Sequence, residues 1–317
     1  MVGAYRPANL AEALEIRTRL GAIPFAGGTD LMVKFRRGAG ALPGFDKPLL
    51  LLDRCEELRG IARAGQTLEA GALEAGAMVT LAALAEHPFS HEVLREIISL
   101  MGGPAIRNVA TLGGNVCNAS PAGDTLPFLY AFDASVRLAS LSAERVIPIC
   151  DFITGPGTTI LRPDEILLAV VIPSWQPGIS LYRKVGTRRA NALTKVSIAA
   201  FADMVNGRVA RARIALGAVA PTVVRLRSVE RMLEGEDLGN LKTGLLREKI
   251  REAAAEKVRP IDDQRSTAAY RRRVAIDLVD SFVERLEGRC RSPEMMQAAP
   301  SATAHSTVPS AGVSPHD

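Results

Sequence analysis

The residues best suited to chemistry lie in two glycine-paired stretches. The first is Pro24-Phe25-Ala26-Gly27-Gly28-Thr29-Asp30-Leu31, between an apolar run and a helix-like run. Its glycines let successive backbone N–H groups turn toward one point, and a helix start behind them adds partial positive charge. Phosphate suits such a place. A plain strand-to-helix turn capped by Thr29 or Asp30 would use the same residues. Asp30 would repel phosphate if it pointed inward, so it reads as a cap.

The second stretch, "TLGGNVCNASPAGD", carries Thr111, the pair Gly113-Gly114, Asn115, Ser120, Pro121, Gly123 and Asp124. Threonine, asparagine and serine bring short hydrogen-bonding groups beside exposed amides. Two Gly-Gly segments facing each other would clamp a diphosphate from two sides, with Asp124 accepting from a sugar hydroxyl. The wider run 102–127 is rich in Gly, Asn, Ser and Pro and reads as a long loop of the kind that carries function.

Other chemistries find little support. No G-x-x-x-x-G-K-[ST] occurs, and "GPGTTI" at 155–160 lacks the third glycine of a dinucleotide fingerprint. No G-x-S-x-G is present. The four cysteines, Cys55, Cys117, Cys150 and Cys290, form no C-x-x-C pair and read as reduced structural thiols. His87 and His91 are four apart, but Pro88 disturbs a shared helical face, so no metal site is expected. An enzyme built this way would leave the hard chemistry to a bound organic cofactor. Aromatic residues make up 4% of the 317, too few for a platform that stacks single-stranded nucleic acid. The net charge of +5 reads mainly as solvated basic faces. No window approaches the roughly 20 apolar residues of a membrane span, and the N-terminus lacks a signal-peptide pattern. The expectation is a cytoplasmic protein.

These stretches must be held by elements the pattern also predicts. Asn9 and Glu12 make a capping box before the helix "LAEALEIRTRL", which Gly21 stops. "AIPF" and "PLLLLD" are strands, and "LMVKFRR" is a short helix. Thr80 and Ser90 are N-caps for two further helices. "ASVRLAS" pairs with "RVIPI", and "EILLAVVIP" is another strand. Composition breaks at 173–178, which sets a boundary near 175. Asn206-Gly207 then joins two strand-like runs as a hairpin. Helices follow at about 222–234, 243–257 and 267–287. From 291 the chain is Ser-, Ala- and Pro-rich and reads as a disordered tail.

Taken in order, "PFAGGTDL", "IRNVATLGGNVCNASPAGD", "LYRKVGTRRANALTKVSIAA" and "DDQRSTAAYRRRVA" resemble the FAD-binding medium subunit of the molybdenum hydroxylases, the xanthine dehydrogenase and carbon monoxide dehydrogenase family. The resemblance spans about residues 1–288, and "KVGTRRANALTKV" is closer to the xanthine branch. It implies an α+β fold. A PCMH or vanillyl-alcohol-oxidase-type FAD domain with two subdomains would fill 1–175. A C-terminal domain of a three-stranded antiparallel sheet with helices would fill 176–290, and the tail 291–317.

The resemblance also implies roles. Pro24 to Leu31 would line the FAD diphosphate, with Thr111, Gly113, Gly114 and Asn115 as a second clamp. Asp124 would hold the ribose or ribityl side, Leu167 and Met101 would pack near the flavin, and Lys184 would approach the isoalloxazine. The partners would be an iron–sulfur small subunit with [2Fe–2S] clusters and a large subunit with the molybdenum cofactor, in a heterotrimer or a dimer of heterotrimers. NAD⁺ would be one possible electron acceptor. The rival readings are a free-standing flavin oxidase or reductase of the same fold, and a non-enzymatic scaffold with a decayed flavin site.

Overall fold

The computed structural model describes residues 2–63, 71–188, 191–241 and 244–288. The Ser/Ala/Pro-rich tail, Cys290 and Arg189 lie outside them.

The chain opens with β1 (Ala4–Tyr5), α1 (Leu10–Leu20), β2 (Ile23–Phe25), α2 (Leu31–Lys34) and β3 (Leu49–Leu51). α1 starts where expected. The Asn9 side chain accepts from the Glu12 amide, and the Glu12 carboxylate reaches back to the Ala8 amide. Gly21 ends it in the left-handed conformation at φ 57°. The three strands form a small parallel sheet in the order β1-β3-β2.

Next come β4 (Ile61–Arg63), β5 (Leu73–Gly76), α3 (Leu81–Glu86), α4 (Glu92–Ser99), α5 (Pro104–Arg107), α6 (Leu112–Asn118) and α7 (Leu126–Ala131). β6 (Ser135–Ala139), β7 (Glu144–Pro148), α8 (Ile149–Phe152), β8 (Ile153–Gly155), β9 (Thr158–Thr159) and β10 (Ile166–Ile172) complete this half. Five strands make an antiparallel sheet, β4-β5-β10-β6-β7.

β10, "ILLAVVI", is buried throughout because both of its faces are covered. Leu167, Val170 and Ile172 join the core built on α3, α4, α6 and α7. Ile166, Leu168 and Ala169 join the core under α1 and the parallel sheet. A register shift between Leu167 and Ala169 switches the alternation between the two sides. A strand read by this pattern shows no polar face, as a fully buried strand should.

At the head of β10, the side chain of Glu165 is only 4% exposed and accepts from Arg145 at 2.7 and 2.8 Å and from the Arg162 amide at 2.8 Å. Burial alone would raise its carboxyl. The Arg145 and Arg162 bonds outweigh burial and hold it below the usual carboxylate range. Such a group stabilises the fold above its unfolded pKa of about 4.3, and that stabilisation is lost as the pH falls through the lower folded value. Glu165→Gln is therefore expected to lower stability by about 2–4 kcal/mol near neutral pH. The gap to wild type should close in acid, and urea denaturation at both pH values reads it.

The last part holds β11 (Ile179–Val185), β12 (Val196–Val205), β13 (Arg208–Gly217), β14 (Val224–Arg225), α9 (Arg227–Leu233), α10 (Leu238–Leu241), α11 (Gly244–Lys257) and α12 (Ala268–Leu286). The hairpin turn is Asn206-Gly207, with φ of 50° and 74°, as a type I′ turn needs. The sheet has four strands, β11-β12-β13-β14, where three were expected. Val224 and Arg225 pair with Leu216 and Ala215, so the helix expected from 222 begins only at Arg227.

This sheet too is covered twice. Ile198, Ala200, Ala202, Ile214 and Leu216 pack on α9, α11 and α12. Tyr182, Ala199, Phe201 and Ala215 face the first half. There Phe201 meets Phe128, Phe132 and Trp175 with ring centroids 5.0–5.9 Å apart. Aromatic contacts of this kind fix the two halves against each other, with α7 packed on β12 and β13 and α4 on β11.

Two N-terminal expectations change. The run 102–127 is half helical, as α5, α6 and the start of α7. Gly113 is there for close approach: a Cβ on it would come within 2.6–2.7 Å of Ala77. Ser90 does not cap α4; the Nδ1 of His91 does, accepting from the Val93 amide at 3.1 Å. Ser90 is buried, and its amide instead closes a turn onto the His87 carbonyl.

Candidate flavin site

The two glycine stretches meet. β2 delivers the first, whose backbone reverses at Gly28 with φ +68°, a conformation that favours glycine. A Cβ on Gly27 would lie 2.1 Å from the Val109 carbonyl oxygen, so this loop presses directly on the entry to α6. From the other side, a Cβ on Gly114 would lie 3.8 Å from the Ala26 side chain. The backbone amides of Gly27, Gly28, Thr29 and Asp30 donate to no acceptor among the described residues. Consecutive unpaired amides at a turn into a helix form an anion-binding concavity.

A side-chain bond locks the two stretches together. Asn118 Nδ2, at the end of α6, donates to Asp30 Oδ2 at 2.8 Å. Asp30 therefore holds the N-cap position of α2 without capping it. The expected cap is instead a cross-loop tie, because α6 brings an amide donor closer than the helix's own N–H groups. Thr111 caps α6, accepting from the Gly114 amide at 3.0 Å. One turn along, Asn115 Oδ1 accepts from Thr125 Oγ1 at 2.5 Å, which ties α6 to the residue after Asp124.

Asp124 is 8% exposed, and each of its carboxylate oxygens accepts one bond from the C-terminal half. Its Oδ2 accepts from Lys184 Nζ at 2.6 Å and its Oδ1 from Thr194 Oγ1 at 2.5 Å. Lys184 also donates to the Leu100 carbonyl at 3.1 Å, next to Met101. Lys184 is thus a buried partner of Asp124, with neither the solvated side chain of an ordinary strand lysine nor a free ammonium. The surroundings are of low polarity. The hydroxyl of Tyr182, on the same strand face, is buried without a partner among the described residues, and burial together with the Asp124 charge pushes its phenol well up.

Leu167 lies in the core, opposite Leu138 on β6. Met101 is half-buried against the same core, and its carbonyl accepts from Arg107. Burial pushes the Cys55 thiol up to about 11 and the Cys117 thiol up to about 12, so both stay protonated at neutral pH. No group of three metal-ligating side chains occurs among the described residues.

The contacts of Asn118, Thr125 and Thr194 were missed in the sequence. Asn118 had a signal, since it lies on α6 one turn after Asn115. Thr194 had none beyond its place in the "KVGTRRANALTKV" run.

The family described as the FAD binding domain in molybdopterin dehydrogenase matches residues 1–175, the stretch that holds both glycine loops. The chain belongs to this flavoprotein family of the molybdenum hydroxylases. The CO dehydrogenase flavoprotein C-terminal domain matches residues 181–286 of the subunit. Among relatives, the xanthine dehydrogenase FAD-binding subunit of Escherichia coli O157:H7 is 32% identical over 274 residues, covering 84% of this chain and 89% of that one. The carbon monoxide dehydrogenase medium chain of Afipia carboxidovorans is 28% identical over 294 residues, covering 91% and 97%. Reconstituted CO dehydrogenase from Oligotropha carboxidovorans superposes with a TM-score of 0.80 at 26% identity, over 92% and 99% of the two chains. The subunit is thus an FAD-binding component of an oxidoreductase, with the α+β architecture of its relatives. The unpaired amides of Gly27 to Asp30, in a loop whose Ala26 side chain lies beside Gly114, are donors of the kind a diphosphate takes.

Proposed function

We propose that this chain is the electron-transferring flavoprotein subunit of a xanthine dehydrogenase-like molybdenum hydroxylase. The observation that carries the reading is the convergence of the two glycine stretches, tied by Asp30 and Asn118. Gly27 to Asp30 bind the diphosphate through backbone N–H groups. Thr111, Gly113, Gly114 and Asn115 form the opposite wall, and Pro24, Phe25, Ala26 and Leu31 complete the first loop. Asp124 accepts from the sugar or ribityl hydroxyls. Met101, Leu167 and Lys184 shape the flavin end. The chain divides at 175, with the FAD domain before it and a flavoprotein C-terminal domain over 176–290.

Bound there, FAD would couple one-electron delivery from a [2Fe–2S] partner subunit to two-electron delivery to NAD⁺ or another acceptor. The molybdenum cofactor and the substrate pocket belong to a large partner subunit, in a cytoplasmic heterotrimer or a dimer of such trimers. The protein's own contribution is orientation and a low-polarity wall, with no acid–base pair in the site.

Purification of the chain at native expression level tests this. The expected result is three co-purifying chains with iron–sulfur absorbance, in which anaerobic NADH bleaches the flavin and then the clusters. Turnover of a substrate by this chain alone with FAD would favour the free-standing enzyme and overturn the proposal.

A further inference from the structure

The Asp124 carboxylate is gripped at both oxygens by the segment that runs from β11 to β12. Lys184 Nζ holds Oδ2 and Thr194 Oγ1 holds Oδ1. The two anchors differ in kind. Lys184 ends a flexible four-carbon stem and shares its ammonium with the Leu100 carbonyl. A point charge on one oxygen leaves the carboxylate free to swing about its terminal torsion, which is broad and soft. Thr194 is 1% exposed, and its branched Cβ allows few rotamers. A second donor on the second oxygen fixes the carboxylate plane. Each oxygen keeps acceptor capacity beyond its single bond to the chain. Thr125, adjacent to Asp124, bonds Asn115 beside Gly114, so the residue that follows the gripped carboxylate is tied to the glycine stretch.

We propose that Thr194 is a positioning residue for flavin binding: its hydroxyl sets the Asp124 carboxylate in the orientation that accepts from the ligand's hydroxyls. Flavin retention then depends on the loop between the first two strands of the C-terminal sheet, in addition to the domain that carries the glycine stretches. The inference rests on the assignment of Asp124 to the sugar side of the flavin site.

The test titrates FAD into the flavin-free full-length chain and follows flavin fluorescence, well below the unfolding temperature. The chains compared are wild type, Thr194→Val, Thr194→Ser and Asp124→Asn. Valine keeps the shape and removes the donor; serine keeps the donor. The dissociation constant should rise about tenfold in Thr194→Val and return close to wild type in Thr194→Ser. A residue that served only fold stability would lower the thermal midpoint of the flavin-free chain and leave this constant unmoved. Should Thr194→Val not fold, Thr194→Ala takes its place with the same expectation. If the donor-free variant binds like wild type while Asp124→Asn binds weakly, the positioning role is overturned and the site assignment stands. If Thr194→Ser binds as weakly as Thr194→Val, the hydroxyl is not the operative group and the proposal is likewise overturned. If Asp124→Asn binds FAD like wild type, the assignment of Asp124 itself fails, and the proposal with it.

Discussion

Gly114→Leu is expected to yield a folded protein that holds no FAD. The glycine sits in α6 with ordinary helical geometry, so a side chain adds no backbone strain. Its Cβ would meet only the Thr111 hydroxyl at 2.9 Å and the Ala26 side chain at 3.8 Å. The hydroxyl is the movable end of a capping residue, and disturbing a cap costs about 1 kcal/mol. Folding should survive that. The rest of the leucine side chain must occupy the space between the two glycine stretches, which the diphosphate would need. Affinity for FAD should fall at least about a hundredfold, since packing, hydrogen bonds and the anion cradle are lost together. Circular dichroism and the FAD content of the purified variant check the two halves of the prediction. Gly27→Leu makes a contrast. Its Cβ would sit 2.1 Å from a backbone carbonyl that cannot turn aside, so that variant should lose both stability and flavin.

The second large effect concerns the ion pair that crosses the seam. The side chains of Lys184 and Asp124 are 9% and 10% exposed, and their bond is 2.6 Å. Removing one partner of such a pair leaves a buried charge without compensation, at a cost of about 3–5 kcal/mol. Lys184→Met is expected in that range by urea denaturation of the flavin-free chain, softened by the bond that Thr194 still gives to Asp124. The double variant Lys184→Met/Asp124→Asn should recover much of the loss, because the uncompensated charge is gone. A loss in the double variant equal to the sum of the losses in Lys184→Met and Asp124→Asn alone would mean that the pair is not coupled.

Local signals were legible where a few neighbouring residues decide the outcome. Asn9 with Glu12, Gly21, Thr80 and Asn206-Gly207 behave as their types dictate. The long apolar strand at 166–172 was legible as well, but the register shift that shares it between two cores was not. Glycine-rich 102–127 misled because composition reports flexibility. The Gly113-Gly114 pair is helical because α6 must lie against Ala77 and Ala26, a demand set by residues far along the chain. Asp30 was read as a cap because only its own helix was in view, whereas its partner Asn118 is 88 residues away. Thr194 was invisible for the same reason, with Asp124 at a separation of 70. Within the candidate site, residue types and their order pointed to a cofactor cradle, and the ties between those residues came only with tertiary structure.

The most direct measurement is the visible absorption spectrum of the purified full-length chain, followed by identification of whatever denaturation releases. The account predicts a flavin spectrum, with FAD released at one per chain, or its full recovery when FAD is added to a colourless preparation. A chain that stays colourless in excess FAD would contradict it. The two glycine stretches would then be only the turn and the helix contact that hold β2 and α6 together.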